Sequence, residues 1–171
     1  FAGPMVAVDF YDEVSEYTSE LFWETITSNK KIGKLEYPEN QKLPFLQKGS
    51  ASGRIIGGNL AVFAHLLGTP YFPNLTGKIL MIEDIGELPY RVDRMLNQLR
   101  LAGVFKKVKG IILGRFVDCH EHDPNKKTLT LGEVIADYIT PVKVPSIYTF
   151  PHGHIKDLVT IPFGLKVNLN A

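Results

Sequence analysis

The chain has 171 residues, of which 44% are hydrophobic and 22% are charged, and its formal net charge at pH 7 is +1. These values are typical of one globular domain with a hydrophobic core, and the near-zero charge argues against nucleic-acid and membrane-surface partners. No apolar run approaches the ~20 residues that span a bilayer, so we expect neither a transmembrane segment nor a secretory signal, and a single cysteine excludes an internal disulfide framework.

The apolar opening from Phe1 to Val8 predicts a buried strand at the very start of the chain. Chain termini usually lie at the surface, where they fray. A start inside a core strand, without an initiator methionine, therefore predicts that part of the parent protein lies upstream.

In the first half, hydrophobic periodicity and turn residues predict a helix, two strands and a second helix. Tyr17 and Leu21 recur at helical spacing, and Gly57-Gly58-Asn59 ends the second strand. The predicted segments are a helix over 14–28, a strand over Lys30–Pro38, a loop over Asn40–Ser50, a strand over Ser52–Ile56 and a helix over 60–67.

In the second half, strands and helices alternate before a strand-rich end. Pro89 suits the first turn of a helix that Gly103 ends, and Thr130 and Glu133 are spaced as a capping box. The predicted strands are Lys78–Ile82, Gly110–Phe116, Pro145–Phe150, Leu158–Ile161 and Leu165–Leu169, with a loop over Glu83–Glu87 after the first of them. This order predicts an α/β domain with a mixed sheet and further strands packed as a second layer.

Two polar positions follow predicted core strands. Glu83 comes directly after Lys78–Ile82, and His154 follows the strand that ends at Phe150. Groups just past the carboxyl ends of strands line the ligand crevice of α/β proteins, and a histidine acting as general base needs a carboxylate to hold its tautomer. The alternatives are a solvated loop acid or helix cap at Glu83, with Asp84 and Glu87 equally suited to that role, and a surface turn at His154.

The segment from Cys119 to Asp123 has the composition of a metal site, since His120 and His122 share a face if the chain is extended. The polar loop that follows, without a distant second pair of ligands, favours a solvated loop instead. We therefore predict no metal or other cofactor.

Other polar features have structural interpretations. Gly57-Gly58-Asn59 lacks the spacing of a phosphate loop, so a turn with Asn59 as helix cap is favoured. Arg91 and Arg94 share one helix face and are expected to pair with Asp84 or Glu87 rather than bind a substrate.

The sequence shows no candidate nucleophile. None of the serines lies in a strand-to-helix elbow of the G-x-S-x-G type, and Cys119 has no clear activating neighbour other than His120. The serines are Ser15, Ser19, Ser28, Ser50, Ser52 and Ser146. We therefore expect no complete catalytic triad within this chain.

An ordered set of short motifs resembles the C-terminal domain of the serine LD-carboxypeptidases, a family that also contains the microcin-C immunity peptidase. The resemblance runs over nearly all of residues 1–171. The motifs are Phe1–Met5, Gly57–Leu60, Gly68–Pro70, Ile82–Glu87 with Pro89–Leu96, Gly110–Phe116, Gly153-His154 and Ile161–Gly164.

This resemblance implies a Ser–His–Glu triad shared between two domains, with Glu83 and His154 as the acid and the base and the serine on a separate N-terminal domain. It implies a swivelling β/β/α domain that forms the C-terminal half of a two-domain enzyme. It also implies removal of the terminal D-alanine from murein tetrapeptides during cell-wall recycling, a cytoplasmic location, no metal, and a possible homodimer. The second histidine, His152, is not part of the implied motif.

Three alternatives remain at the level of sequence. One is a microcin-immunity-type peptidase with the same mechanism, and another is a non-catalytic binding or dimerisation domain. The third is a phosphohistidine carrier, which the residues around His154 disfavour because Gly153 rather than Ser or Thr precedes it. The peptidase hypothesis requires that the side chains of Glu83 and His154 come within hydrogen-bonding distance.

Overall fold

The computed structural model describes residues 1–11, 13–37 and 43–171. Its strands are β1 (Phe45–Gln47), β2 (Ser50–Asn59), β3 (Ile79–Ile85), β4 (Gly110–Val117), β5 (Ser146–Ile147) and β6 (Lys166–Asn170). Its α-helices are α1 (Val6–Asp9), α2 (Glu16–Thr27), α3 (Leu60–His65), α4 (Pro89–Leu101) and α5 (Leu131–Ile139), with short 3₁₀ turns at Val104–Lys106 and Thr140–Val142. Within these residues, no helix is both long and apolar enough to cross a lipid bilayer.

The strands form one six-stranded mixed sheet in the order β1-β5-β4-β3-β2-β6. The inner strands β2 to β5 are parallel, whereas β1 and β6 pair antiparallel at the two edges. The long strand β2 pairs with β6 through Ser50–Arg54 and with β3 through 55–59. The α/β class with a mixed sheet is therefore confirmed.

Hydrophobic side chains cover both faces of the sheet, as expected for parallel strands that are buried on two sides. On one face, α3, α4 and α5 pack over a core that includes Leu80, Ile82 and Leu113. On the other face, Met81 and Ile112 pack with Phe150 and Val159 from the segment between β5 and β6. In the described residues this second layer contains one β-bridge, Ala2 to Ile161, rather than full strands.

Several predicted boundaries are wrong. In the opening segment, Val6 and Val8 lie in the short helix α1 with exposed side chains, and an isolated β-bridge joins Ala2 to Ile161. Apolar character alone does not supply a strand neighbour. Residues 30–37 form no strand, while Pro38 and residues 40–42 lie outside the described part of the chain. The predicted loop over Asn40–Ser50 contains β1, and the predicted strand Pro145–Phe150 shortens to β5 because only Ser146 and Ile147 find ladder partners.

The most consequential difference concerns β3, which continues through Glu83 and Asp84 to Ile85 instead of ending at Ile82. Charged residues are rare in buried strands, which is why the sequence pattern favours a loop there. Because the parallel strands β2, β3 and β4 all end at this edge of the sheet, their last polar residues are brought together.

Candidate active site

Glu83 lies in the middle of the sheet, between β2 and β4. Its neighbour on β2 is Asn59, and on the β4 side the register shifts, since Ile82 pairs with Leu113 but Asp84 pairs with Phe116. One extra residue of β4 is therefore accommodated opposite Glu83, as in a β-bulge, which bends a strand and re-aims side chains. The side chain of Glu83 is buried, with 5% of the residue exposed.

His154 reaches this carboxylate from the segment that follows β5. That segment runs along β4, where the Phe150 amide donates to the Leu113 carbonyl at 3.0 Å and the Arg115 amide donates to the His152 carbonyl at 2.8 Å. The Nδ1 atom of His154 then lies 3.2 Å from Oε2 of Glu83. The contact that the peptidase hypothesis requires is present.

Two glycines allow this close approach. A Cβ at Gly114 would lie 2.6 Å from the His152 carbonyl oxygen and 2.8 Å from Cβ of Glu83. Gly153 has a φ of +127°, and a Cβ there would lie 2.9 Å from Oε2 of Glu83. The glutamate is thus packed between backbone segments that only glycine permits.

The hydrogen bond fixes how the imidazole is protonated. A carboxylate only accepts hydrogen bonds, so Nδ1 of His154 carries a hydrogen and donates it to Glu83. The other nitrogen, Nε2, has no hydrogen-bond partner among the described residues, and 42% of the His154 side chain is exposed. The imidazole is therefore held through Nδ1 from inside the protein, while part of the side chain remains open to solvent.

Burial raises the pKa of the Glu83 carboxyl above its ordinary value, whereas the charge of His154 and its hydrogen bond act in the opposite direction. The neighbouring Asp84 carboxylate raises the pKa of Glu83 further. Because the net shift of the Glu83 pKa is upward, keeping this carboxyl ionised lowers the free energy of unfolding. Strongly shifted pKa values of this kind are common at functional sites.

This cost predicts the effect of Glu83→Gln on stability. Because the pKa of Glu83 is raised in the folded protein, folding favours the protonated carboxyl over the carboxylate. The protonated carboxyl therefore contributes to the stability of the folded protein at low pH, and this contribution is lost as the pH rises from about 4.3 through the raised pKa. Glu83→Gln cannot ionise, and we expect its free energy of unfolding relative to the unsubstituted chain to be higher at pH 8 than at pH 4. Urea unfolding of both proteins at the two pH values measures this difference. A relative stability that falls with pH would show that the ion pair with His154 outweighs the burial of the charge.

His152 has a structural role that distinguishes it from His154. It is buried, and its Nδ1 donates to the Val159 carbonyl at 2.7 Å. Burial lowers the pKa of His152 and so favours the neutral imidazole, whereas the hydrogen bond to the Val159 carbonyl acts in the opposite direction. Through its imidazole bond to Val159 and the bond from the Arg115 amide to its own carbonyl, His152 holds the chain before and after the turn that contains His154.

The loop that carries His154 is also held by helix α2. The hydroxyl of Thr18 donates to the Lys156 carbonyl at 2.8 Å and accepts from the Leu158 amide at 2.9 Å. Thr18 is 1% exposed, so this anchor is shielded from water. Sequence reasoning missed this residue because a threonine on an amphipathic helix gives no signal of a partner about 140 positions away.

Asp84 forms a second polar group beside Glu83, and sequence reasoning assigned it to a solvated loop. Its carboxylate accepts from Asn59 Nδ2 at 2.7 Å and from the Ala61 amide at 3.0 Å. Asn59 caps α3 as predicted, since its Oδ1 accepts from the Val62 amide. The signal for this network was available in the sequence, because Asn59 and Asp84 each follow a predicted strand, and a helix joins the two strands, a connection typical of parallel neighbours.

The remaining candidates lie apart from this chemistry. Arg91 pairs with Glu87 at 3.5 Å on the surface of α4, and Arg94 lies over the Tyr90 ring, which confirms pairing for Arg91. Cys119 is buried, and burial raises the pKa of its thiol, which disfavours the thiolate that a nucleophile requires. Gly57 packs against the backbone of Met81, so it serves sheet packing rather than anion binding.

Comparison with known proteins places this site in a family. The model of the LD-carboxypeptidase C-terminal domain matches residues 52–169. The chain belongs to this family. The match includes both Glu83 and His154.

Relatives and solved structures agree with membership in the LD-carboxypeptidase family. A probable murein peptide carboxypeptidase of Bacillus subtilis is 36% identical, with all of this chain and 53% of the relative covered. The microcin C7 self-immunity protein MccF of Escherichia coli is 30% identical over 90% of this chain and 45% of the relative. The crystal structure of muramoyltetrapeptide carboxypeptidase from Oxalobacter formigenes superimposes with a TM-score of 0.82 at 32% identity, over 99% of this chain and 56% of that one. The chain thus spans about half the length of the relatives it matches.

Proposed function

We propose that this chain supplies the acid and the base of a serine LD-carboxypeptidase that removes the terminal D-amino acid from murein tetrapeptides. The observation that carries the proposal is the pairing of buried Glu83 with half-exposed His154 at 3.2 Å. A carboxylate that orients an imidazole whose other nitrogen is free is the arrangement of an acid–base pair in a catalytic triad.

In the proposed reaction, Nε2 of His154 takes the proton of a serine hydroxyl as the serine oxygen attacks the scissile carbonyl. Glu83 stabilises the imidazolium that forms. His154 then returns the proton to the amino group of the departing D-amino acid, which leaves the peptide as an acyl-enzyme ester. In the second half, His154 takes a proton from water as the water oxygen attacks the ester carbonyl. It then gives that proton to the serine oxygen as the ester bond breaks, which releases the shortened peptide with a free carboxyl group and restores the serine.

We infer that the serine belongs to a separate domain. Within the described residues no serine hydroxyl bonds to His154: Ser15 caps α2, and Ser146 is fully buried in β5. The relatives are about twice as long as the stretch that this chain covers, which leaves room in each of them for a second domain.

Two substrate classes are supported by similarity. The names of the Bacillus and Oxalobacter relatives favour a murein peptide, and the 36% identity to the former covers the whole chain. The similarity to the microcin immunity protein is lower, at 30%. A solved structure of MccF, which is 26% identical with a TM-score of 0.78, holds aspartyl sulfamoyl adenosine, and it favours an aminoacyl group linked to a nucleoside as the second candidate. Both use the same proposed chemistry, so the distinction lies in the pocket rather than in Glu83 and His154.

The test compares the chain alone with the chain joined to a nucleophile domain. We expect no release of D-alanine from a murein tetrapeptide by the 171-residue chain. Release is expected when the chain is fused behind the N-terminal domain of the parent protein or of the Bacillus relative, measured by mass spectrometry. Turnover by the chain alone would refute the proposed division of the triad, and an inactive fusion that is correctly folded would count against the peptidase assignment.

A further inference from the structure

A second group of polar side chains lies where β4 leaves the sheet. Asp118 follows the last residue of β4, and the next residues alternate in direction: Cys119 is buried, whereas Asp118, His120 and His122 are exposed. The sequence pattern placed Cys119 and Asp123 with the two histidines. The structure instead brings Asp118 to them, because Asp118 adopts a left-handed backbone conformation with φ of +54°.

The separations between the three side chains match those of ligands around a metal ion. Oδ1 of Asp118 lies 3.5 Å from Nδ1 of His120 and 3.8 Å from Nε2 of His122. One ligand atom from each of the three residues lies within 4.8 Å of the other two. Two ligands bound about 2.0–2.1 Å from a tetrahedral zinc ion stand about 3.4 Å apart, so small rotations of exposed side chains bring all three into place.

These contacts are not hydrogen bonds. Among the described residues, no hydrogen bond joins the three side chains, and the longer separation exceeds the range in which a nitrogen and an oxygen share a hydrogen. The imidazole rings lie with their centroids 4.5 Å apart, and one nitrogen of each approaches the same Asp118 oxygen. The three side chains therefore bring three electron-pair donors close together without a hydrogen bond between them.

The other acids of this loop are already used by the loop itself. Glu121 pairs with Lys126 at 2.7 Å, and Asp123 accepts from the Asn125 amide at 2.9 Å. These bonds close the turn that follows His122, and Lys126 is engaged by Glu121 and by the Tyr90 ring. The side chains of Asp118, His120 and His122 are therefore carried by a loop that its own hydrogen bonds and ion pair hold in one conformation.

The sequence pattern favours a solvated loop here, but it does not include Asp118 among the ligands. With Asp118 beside the two histidines, we propose that Asp118, His120 and His122 bind one divalent transition-metal ion, with Zn²⁺ as the best fit. Two imidazole nitrogens and one carboxylate oxygen form a ligand set that suits zinc and its neighbours in the first row, and water completes the tetrahedron. The site lies at the same sheet edge as Glu83, since the Gly86 amide donates to the Val117 carbonyl. A bound ion holds the loop after β4 in place at the rim of the candidate active site.

Isothermal titration of the full chain with ZnCl₂ tests this proposal. We expect one ion per chain, and we expect Asp118→Asn, His120→Ala and His122→Ala each to weaken binding by at least roughly 10-fold, the loss that even substitution of an outer-shell partner produces. His65→Ala is the matched control, because His65 is also exposed, on α3, and its loss leaves the affinity unchanged. Circular dichroism of each variant confirms that it is folded.

Spectroscopy with Co²⁺ in place of Zn²⁺ provides an independent readout, since a tetrahedral site gives visible absorption that hydrated Co²⁺ lacks. We expect this absorption in the chain and its loss in His120→Ala. No saturable binding, or binding that survives Asp118→Asn and His120→Ala but is lost in His154→Ala, would overturn the assignment.

Discussion

If the proposed division of the triad holds, Glu83→Gln in a fusion of this chain to the proposed nucleophile domain is expected to lower kcat for D-alanine release by about three to four orders of magnitude. Glutamine has the shape of glutamate but carries no charge, so it neither enforces the Nδ1–H tautomer of His154 nor stabilises the imidazolium. His154→Ala removes the base itself and is expected to produce a loss at least as large. Because residues of a triad act as a unit, the double variant should be no slower than His154→Ala alone.

The measurement is steady-state release of D-alanine from a murein tetrapeptide, with kcat and KM determined separately. Asp137→Asn is the matched control, since it makes the same carboxylate-to-amide change at an exposed position on α5 and is expected to leave kcat unchanged. Nearly full activity in Glu83→Gln, with the protein folded, would refute the role of Glu83. Losses in Glu83→Gln and His154→Ala that multiply in the double variant would refute their action as a pair.

Gly153→Ala is expected to lower kcat by about 100-fold, the cost of displacing a catalytic group by roughly 1 Å. The new methyl group would lie 2.9 Å from Oε2 of Glu83 and 3.1 Å from the Arg115 carbonyl oxygen. Neither the buried carboxylate nor the strand backbone has space to move freely. The turn that carries His154 therefore shifts outward, and the 3.2 Å contact between His154 and Glu83 lengthens.

Gly58→Ala separates this displacement from simple backbone strain. Gly58 has a φ of +142°, close to the +127° of Gly153, but no atom lies within 4 Å of its added Cβ. Both variants are expected to lose stability in thermal unfolding, because alanine is strained at these angles. Only Gly153→Ala should lose kcat beyond what its stability loss explains, and equal kcat in the two variants would contradict the packing argument.

The strongest local signals in the sequence are confirmed by the structure. The capping box of Thr130 and Glu133 begins α5, and Asn59 caps α3, because these contacts join residues at most three positions apart. The buried strands β3 and β4 were equally evident from their apolar runs. Strands whose extent depends on partners elsewhere in the chain are predicted poorly. The sequence does not predict β1, and it predicts a strand longer than β5, because the ends of a strand are set by its hydrogen-bonded neighbours rather than by its own residues.

The sequence by itself therefore determined which two groups we propose as acid and base, because the order of motifs around Glu83 and His154 is a property of the chain. Only the tertiary structure decided how they meet. The 3.2 Å contact depends on a register shift between β3 and β4, on two glycines that permit close packing, and on a threonine of α2 that holds the histidine loop. Each of these joins residues far apart in sequence, so their geometry follows from packing against distant neighbours and not from any local pattern.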